Sequence, residues 1–96
     1  MEEKTSRKIN VILVASKGCH NCAEVKEILK EISPDFPELD VKETEVTTPE
    51  GRELVLKYGI LSSPGVIIND ELFSMGGATK NELVKKFEEL KKSNSQ

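Results

Sequence analysis

A continuous apolar run, INVILV at residues 9–14, places the strongest constraint on how this chain folds. The run has no polar alternation after Asn10, and such runs are typical of strands that are covered on both faces of a sheet. The segment after the next loop is predicted to be a helix, because its apolar residues recur every three or four positions. These residues are Cys22, Val25, Leu29 and Ile32. A buried strand followed by an amphipathic helix indicates an α/β fold.

The remaining segments continue the alternation of strands and helices. Residues 39–46 alternate apolar and polar side chains, which is typical of a half-covered or edge strand. Residues 47–59 predict a second helix. Residues 64–77 predict two strands joined by a tight turn at Asn69-Asp70, since both residues tolerate positive φ. A Thr79–Glu82 capping box predicts the start of the last helix.

The predicted order is therefore β-α-β-α-β-β-α. Two strands that are joined through a helix are expected to be parallel, with a right-handed crossover, whereas the last two strands form an antiparallel hairpin. A mixed four-stranded sheet with helices on both faces, and with the apolar first strand in its centre, buries the apolar stripe of every helix. The first helix then begins at the C-terminal edge of the central strand, which is the usual functional edge of an α/β sheet.

Size and charge narrow the class of protein. The 96 residues suffice for one domain, which we place at residues 8–92, between a flexible N-terminal tail (1–7) and a frayed C-terminus (93–96). The net charge of −3 argues against nucleic-acid binding, which requires a basic surface. No apolar run is long enough to span a membrane, and the charged N-terminus does not resemble a signal peptide. We therefore expect a cytoplasmic protein, and we take it to be a monomer.

The only two cysteines, Cys19 and Cys22, lie three residues apart. Three interpretations are open: a redox couple, half of a metal site, or two buried structural thiols. Cys19 lies at or just before the predicted helix start, where free N–H groups and the helix dipole favour a thiolate and lower the pKa of Cys19. Cys22 lies on the buried stripe, where its pKa stays higher. This asymmetry assigns Cys19 as the attacking nucleophile and Cys22 as the resolving thiol of a redox pair.

Three polar neighbours are candidates for tuning the pKa of Cys19. His20 lies between the cysteines, and a partly protonated imidazole there adds positive charge that favours the thiolate. Lys17, two residues before Cys19, acts in the same direction, and Asn21 completes the spacer. The competing interpretation is that these are exposed side chains at a helix N-terminus without a part in the chemistry.

Three motifs together resemble the thioredoxin/glutaredoxin superfamily, in particular its small thioredoxin-like proteins with a Cys-x-x-Cys motif. CHNC follows the first strand and opens the first helix, as the superfamily's cysteine motif does. GILSSPGVII places Pro64 at the start of the third strand, where the superfamily has a cis-proline. SMGGATKNEL places Gly76-Gly77 between the fourth strand and the last helix, as in glutaredoxins. The resemblance covers residues 8–91 and implies the minimal thioredoxin fold.

The resemblance also implies a function. It implies a thiol–disulfide oxidoreductase that reduces or exchanges the disulfides of substrate proteins through a Cys19–Cys22 couple. It implies no cofactor and no bound metal, only the dithiol and an external electron donor, either a reductase or glutathione. The substrate-binding residues that it implies are Ser63, the cis-proline Pro64, Gly76 and Gly77.

The chain departs from the family pattern in three ways. It has no tryptophan, whereas thioredoxins typically carry one just before the first cysteine. Its first strand contains no acidic residue, whereas thioredoxins bury an aspartate there that accepts a proton from the inner cysteine. Water or a neighbour such as Glu24 would then take the proton of Cys22. Finally, Ser62-Ser63 replaces the Thr-Val that precedes the proline in glutaredoxins, which leaves the use of glutathione open.

Two other functions remain as alternatives. A metal-binding or cluster-bridging module would use Cys19 and Cys22, and two chains could pool four thiolates across a dimer. A binding adaptor would keep the fold without redox turnover. Unmodified thiols with an ordinary pKa would indicate the adaptor.

Overall fold

The structure, a computed structural model, describes residues 8–94 and contains the predicted order of elements. The strands are β1 (Ile9–Ala15), β2 (Leu39–Glu45), β3 (Gly65–Ile68) and β4 (Glu71–Met75). The α-helices are α1 (His20–Ile32), α2 (Pro49–Tyr58) and α3 (Lys80–Asn94). A short 3-10 helix, Ser33–Asp35, continues α1 and was not predicted. Helix α3 extends two residues past the domain end that we placed at residue 92, while the predicted tail 1–7 and residues 95–96 lie outside the described part.

The four strands form one mixed sheet in the order β2-β1-β3-β4. Strand β1 pairs in parallel with β2 and antiparallel with β3, and β3 pairs antiparallel with β4. The apolar first strand is therefore central and the alternating strand β2 lies at an edge, which confirms the α/β fold class predicted from the sequence.

Each face of the sheet has its own apolar cluster. On one face, alternate residues of β1 pack against α1 and α3, and the buried members include Ile9, Val11, Leu13, Val25, Leu29, Leu83 and Phe87. On the other face, Val14 and Ile67 pack against Ile60 and the apolar side of α2. Because successive residues of a strand point to opposite faces, the unbroken apolar run of β1 supplies both clusters at once.

The local signals at the ends of the elements are also present. Thr48 caps α2 by accepting a hydrogen bond from the backbone N–H of Gly51 at 3.0 Å. Asn69 and Asp70 have φ values of 50° and 67°, as the two-residue hairpin turn requires. Thr79 accepts a hydrogen bond from the backbone N–H of Glu82 at 3.2 Å, and Glu82 accepts one from that of Thr79 at 3.0 Å, which completes the capping box.

The edge strand β2 is less covered than its apolar residues suggest. Val41, one of the apolar residues of the alternating pattern, is 42% exposed, whereas Thr44 is 6% exposed. Val41 pairs with Val11 and so lies on the face covered by α1. At this edge a cavity of about 250 Å³ lies between α1 and β2, and Val41 lines it. The helix does not reach far enough over the edge to bury this side chain.

Candidate active site

The two cysteines lie where the central strand gives way to α1. Strand β1 ends at Ala15, and a short loop with Gly18 at a φ of 70° leads to Cys19, the N-cap of α1. A disulfide joins Cys19 to Cys22, and their Cα atoms lie 5.2 Å apart. The spacing of three residues at the helix start thus places both sulfurs within bonding distance.

Polar groups surround the sulfur of Cys19. The backbone N–H of Cys22 donates to Cys19 Sγ at 3.1 Å, which satisfies one of the free amides in the first turn of α1. The same sulfur lies 3.9 Å from both the carbonyl oxygen and the hydroxyl of Ser63. Because the N–H group and the helix dipole both favour negative charge, these surroundings suit a thiolate once the disulfide is reduced.

Cys22 is far more buried than Cys19. Its side chain is 5% exposed, whereas Cys19 is half-buried. It belongs to the buried stripe of α1 together with Val25, Leu29 and Ile32. Burial of this kind disfavours a charged sulfur. The structure therefore shows the difference in burial on which the two predicted roles depend.

The loop before β3 lies against Cys19. The Ser63–Pro64 peptide bond is cis, the geometry that the sequence resemblance implied. The hydroxyls of Ser63 and Ser16 are hydrogen-bonded at 2.9 Å. On the other side, the backbone N–H of Gly76 donates to the carbonyl of Pro64 at 2.9 Å. The loop is thus attached both to the end of β1 and to the end of β4.

The two glycines of the β4–α3 connection also lie near the cysteine motif. The side-chain amide of Asn21 donates to the carbonyl oxygen of Gly76 at 3.1 Å. Gly76 and Gly77 have φ values of 88° and 137°, a backbone conformation that residues with a Cβ rarely adopt. Asn21 therefore connects the start of α1 to this loop, so that the predicted residues Ser63, Pro64, Gly76 and Gly77 all border the cysteine motif.

Lys17 and His20 are exposed at the rim of the site. Both line a depression of about 540 Å³ that is also lined by the two cysteines. Solvent screens the interaction between a charge at such an exposed position and Cys19.

Two carboxylates that the sequence analysis missed line the same depression, those of Glu43 and Glu45. Strand β2 pairs Glu43 with Leu13 and Glu45 with Ala15 of the central strand. Since Leu13 packs on the α1 face, the two glutamates lie on that face as well. Lys26 Nζ lies 3.0 Å from Glu43 Oε1 and so connects the carboxylate to α1. The parallel pairing of the first two strands was predicted, but its register was not.

Glu24, the acidic residue that we considered as a proton acceptor for Cys22, lies elsewhere. It lines a different groove, between α1 and the start of α3, together with Ile28, Thr79 and Lys80. It does not line the depression that contains the cysteines. The register of β2 thus brings Glu43 and Glu45 to the lining of the site, whereas Glu24 of α1 is absent from it.

Within residues 8–94, no group of three or more His, Cys, Asp or Glu side chains is placed to hold a metal ion. In the same described part of the chain, no helix is both long and apolar enough to cross a membrane.

The comparison with known families decides what this arrangement is. A family model described as a thioredoxin domain matches residues 7–89, nearly the whole chain. The chain belongs to the thioredoxin family. It is 30% identical over 78 residues to a thioredoxin of Methanocaldococcus jannaschii, an alignment that covers 80% of this chain and 89% of that protein. It is 28% identical over 79 residues to a probable thioredoxin of Archaeoglobus fulgidus, covering 82% and 86% of the two chains.

Solved structures show the same fold at lower identity. A thioredoxin-like protein from Clostridium perfringens superposes with a TM-score of 0.75 at 16% identity, covering 86% of this chain and 71% of that one. Oxidised thioredoxin O2 from Arabidopsis thaliana superposes with a TM-score of 0.70 at 14% identity, covering 88% and 76%. With the thioredoxin domain and the Cys19–Cys22 disulfide together, the protein is a thiol–disulfide oxidoreductase.

Proposed function

We propose that this thioredoxin-family protein reduces disulfide bonds in other proteins. One observation carries the proposal: the two sulfurs of the couple differ in access. Cys19 caps α1 and is half-buried beside the Ser63–Pro64 loop, whereas Cys22 is 5% exposed behind it. A sulfur that has to reach a large substrate is accessible, and the sulfur that acts only within the protein is not.

The reaction uses only thiols and disulfides. The Cys19 thiolate attacks one sulfur of the substrate disulfide, so that a Cys19–substrate bond forms and the other substrate sulfur leaves as a thiolate that takes up a proton. Cys22 then loses its proton and attacks Cys19 Sγ. The Cys19–Cys22 disulfide forms, and the second substrate sulfur leaves as a thiol. Two electrons have passed from the protein to the substrate, and no bound cofactor takes part.

The proton of Cys22 leaves toward the depression beside the motif. The carboxylates of Glu43 and Glu45 line the wall of this depression together with Cys22, and water that enters it relays the proton. This arrangement supports a solvent-mediated proton path in a chain whose first strand lacks an acidic residue.

The substrate segment binds across the loops in front of Cys19. The backbone of Ser63 borders the sulfur, and Gly76 and Gly77 border the motif on the other side. Leu61, before this loop, is 88% exposed, and Met75 is 42% exposed. Exposed backbone flanked by apolar side chains supports an extended protein segment as the substrate.

The electron donor that we propose is a dithiol reductase in a reducing compartment such as the cytoplasm. The named relatives are thioredoxins, and the serines before Pro64 differ from the Thr-Val of glutaredoxins. Glutathione is the competing donor, and the two donors are compared directly below.

The test is disulfide reduction by the wild-type protein and by Cys19→Ser and Cys22→Ser. Substrates are insulin, whose disulfides join protein chains, and a mixed disulfide of glutathione with a small thiol. We expect the wild type to reduce insulin faster when a thioredoxin reductase, rather than glutathione, supplies electrons. Cys19→Ser loses at least ~1,000-fold in rate because the nucleophile is absent.

Cys22→Ser attacks the substrate but cannot complete the reaction, so it accumulates a covalent complex with insulin that mass spectrometry detects. Full insulin reduction by Cys19→Ser contradicts the proposal. So does a metal-to-protein ratio near one half in wild-type protein purified without chelator, since the cysteines would then be metal ligands.

A further inference from the structure

Ser16 has no part in the chemistry described so far, yet its position is specific. It follows the last residue of β1, and its hydroxyl oxygen lies 2.9 Å from that of Ser63, a residue 47 positions later in the chain. Both side chains are half-buried. The bond joins the end of the central strand to the loop that faces Cys19.

The hydroxyl of Ser63 lies within reach of two groups. It is hydrogen-bonded to Ser16 Oγ at 2.9 Å and lies 3.9 Å from Cys19 Sγ. A serine hydroxyl has one proton to donate and two lone pairs that accept. If Ser63 donates to Ser16, it has no proton left for the sulfur. If Ser16 donates to Ser63, the proton of Ser63 is free to point at Cys19.

Reduction of the disulfide selects between these two orientations. A thiolate on Cys19 is a charged acceptor, and hydrogen bonds to charged groups are roughly twice as strong as neutral ones. The orientation in which Ser16 donates to Ser63 and Ser63 donates to Cys19 is therefore favoured in the reduced protein. Ser16 does not touch the sulfur, so it acts only through Ser63.

We propose that Ser16 is a positioning residue that holds the Ser63 hydroxyl as a hydrogen-bond donor to the Cys19 thiolate. The proposal rests on the attacking role of Cys19 given above. The Ser63 hydroxyl is then a second hydrogen-bond donor to the Cys19 sulfur, in addition to the backbone N–H of Cys22, which lies 3.1 Å from it. A more stable thiolate makes the Cys19–Cys22 disulfide easier to reduce, so Ser16 also shifts the couple toward the oxidising side.

The test measures the thiolate of Cys19 directly. In reduced protein carrying Cys22→Ser, Cys19 is the only cysteine, and its pKa follows from ultraviolet absorbance of the thiolate and from the rate of iodoacetamide alkylation against pH. We expect Ser16→Ala to raise this pKa by about half a unit to one unit. At a pH below the pKa, this shift makes the thiolate fraction roughly three- to tenfold smaller.

Further variants separate positioning from packing. Ser63→Ala gives a similar rise, and the double variant Ser16→Ala/Ser63→Ala gives no more than Ser63→Ala alone, because both serines act through one hydrogen bond to the sulfur. Ser16→Thr keeps a hydroxyl and retains the pKa of the parent. Ser62→Ala, which removes the exposed neighbouring hydroxyl, leaves the pKa unchanged.

Three results would overturn the proposal. The first is an unchanged pKa in Ser16→Ala while Ser63→Ala raises it. The second is strictly additive shifts in the double variant. The third is a loss of thermal stability in Ser16→Ala without a change in the pKa, which shows a structural role only. Failure of the proposed function is seen in a different measurement. In that case Cys19→Ser would retain insulin reduction, and this result does not depend on the Cys19 pKa in Ser16→Ala.

Discussion

The two cysteines lie one helical turn apart, and the structure surrounds them with different chemistry. Cys19 lies among hydrogen-bonding groups of the α1 N-terminus and of the Ser63–Pro64 loop. Cys22 lies on the stripe of α1 that faces the sheet and is 5% exposed. The same amino acid is thus half-buried among hydrogen-bonding groups at one position and almost fully buried one helical turn later.

The two sides of the site also have different origins in the chain. Cys22 owes its burial to its place on the stripe of α1, whose other members pack against alternate residues of β1. Cys19 lies beside the loop before β3, and hydrogen bonds attach that loop to the connections after β1 and after β4. The burial of Cys22 therefore follows from the helical periodicity of α1. The hydrogen-bonding groups around Cys19 depend in part on a loop that is distant in the sequence.

The largest expected effect is the difference in reactivity between the two thiols. In the fully reduced wild type near neutral pH, we expect iodoacetamide to alkylate Cys19 at least ~100-fold faster than Cys22, because a capping thiolate is both accessible and ionised. Mass spectrometry of proteolytic peptides, sampled over time, gives both rates in one experiment. The protein unfolded in denaturant is the control, since the ratio falls to near one there. A ratio near one in the native protein would contradict the assignment of roles.

A smaller effect is expected from Asn21→Ala. This change removes the hydrogen bond to the Gly76 carbonyl, which joins the motif to the β4–α3 loop. We expect the free energy of unfolding to fall by about 1 kcal/mol, measured by urea denaturation. Asn81→Ala, at an exposed position in the first turn of α3, is the matched control and lowers it by less. Equal losses in the two variants would show that the contact with Gly76 contributes nothing to stability.

The regular half of this site was predictable from the sequence. The run INVILV identified the central strand, and the spacing of Cys22, Val25 and Leu29 placed the inner cysteine on the buried stripe. These predictions succeed because periodicity within one element determines which side chains face the core.

The irregular half was predictable only in part. Pro64 and the Gly76-Gly77 pair were placed by resemblance to a family. Ser16 was not singled out, since nothing local distinguishes a serine whose partner lies 47 positions away. Glu43 was missed because it reaches the site through its pairing with Leu13, and the register between parallel strands is not encoded in either strand alone.

The smallest expected effect tests whether exposed charge contributes to the difference between the two cysteines. Lys17 lies at the rim of the depression and is exposed, so its attraction for the Cys19 thiolate passes largely through water. We expect Lys17→Gln to slow alkylation of Cys19 by less than about twofold at low ionic strength, and we expect the effect to disappear in ~1 M salt. Lys30→Gln, which removes an exposed lysine near the other end of α1, is the control and leaves the rate unchanged at either salt concentration. A loss of tenfold or more that persists in high salt would mean that a mobile surface charge, rather than the fixed donors of Cys22 and Ser63, stabilises the nucleophile.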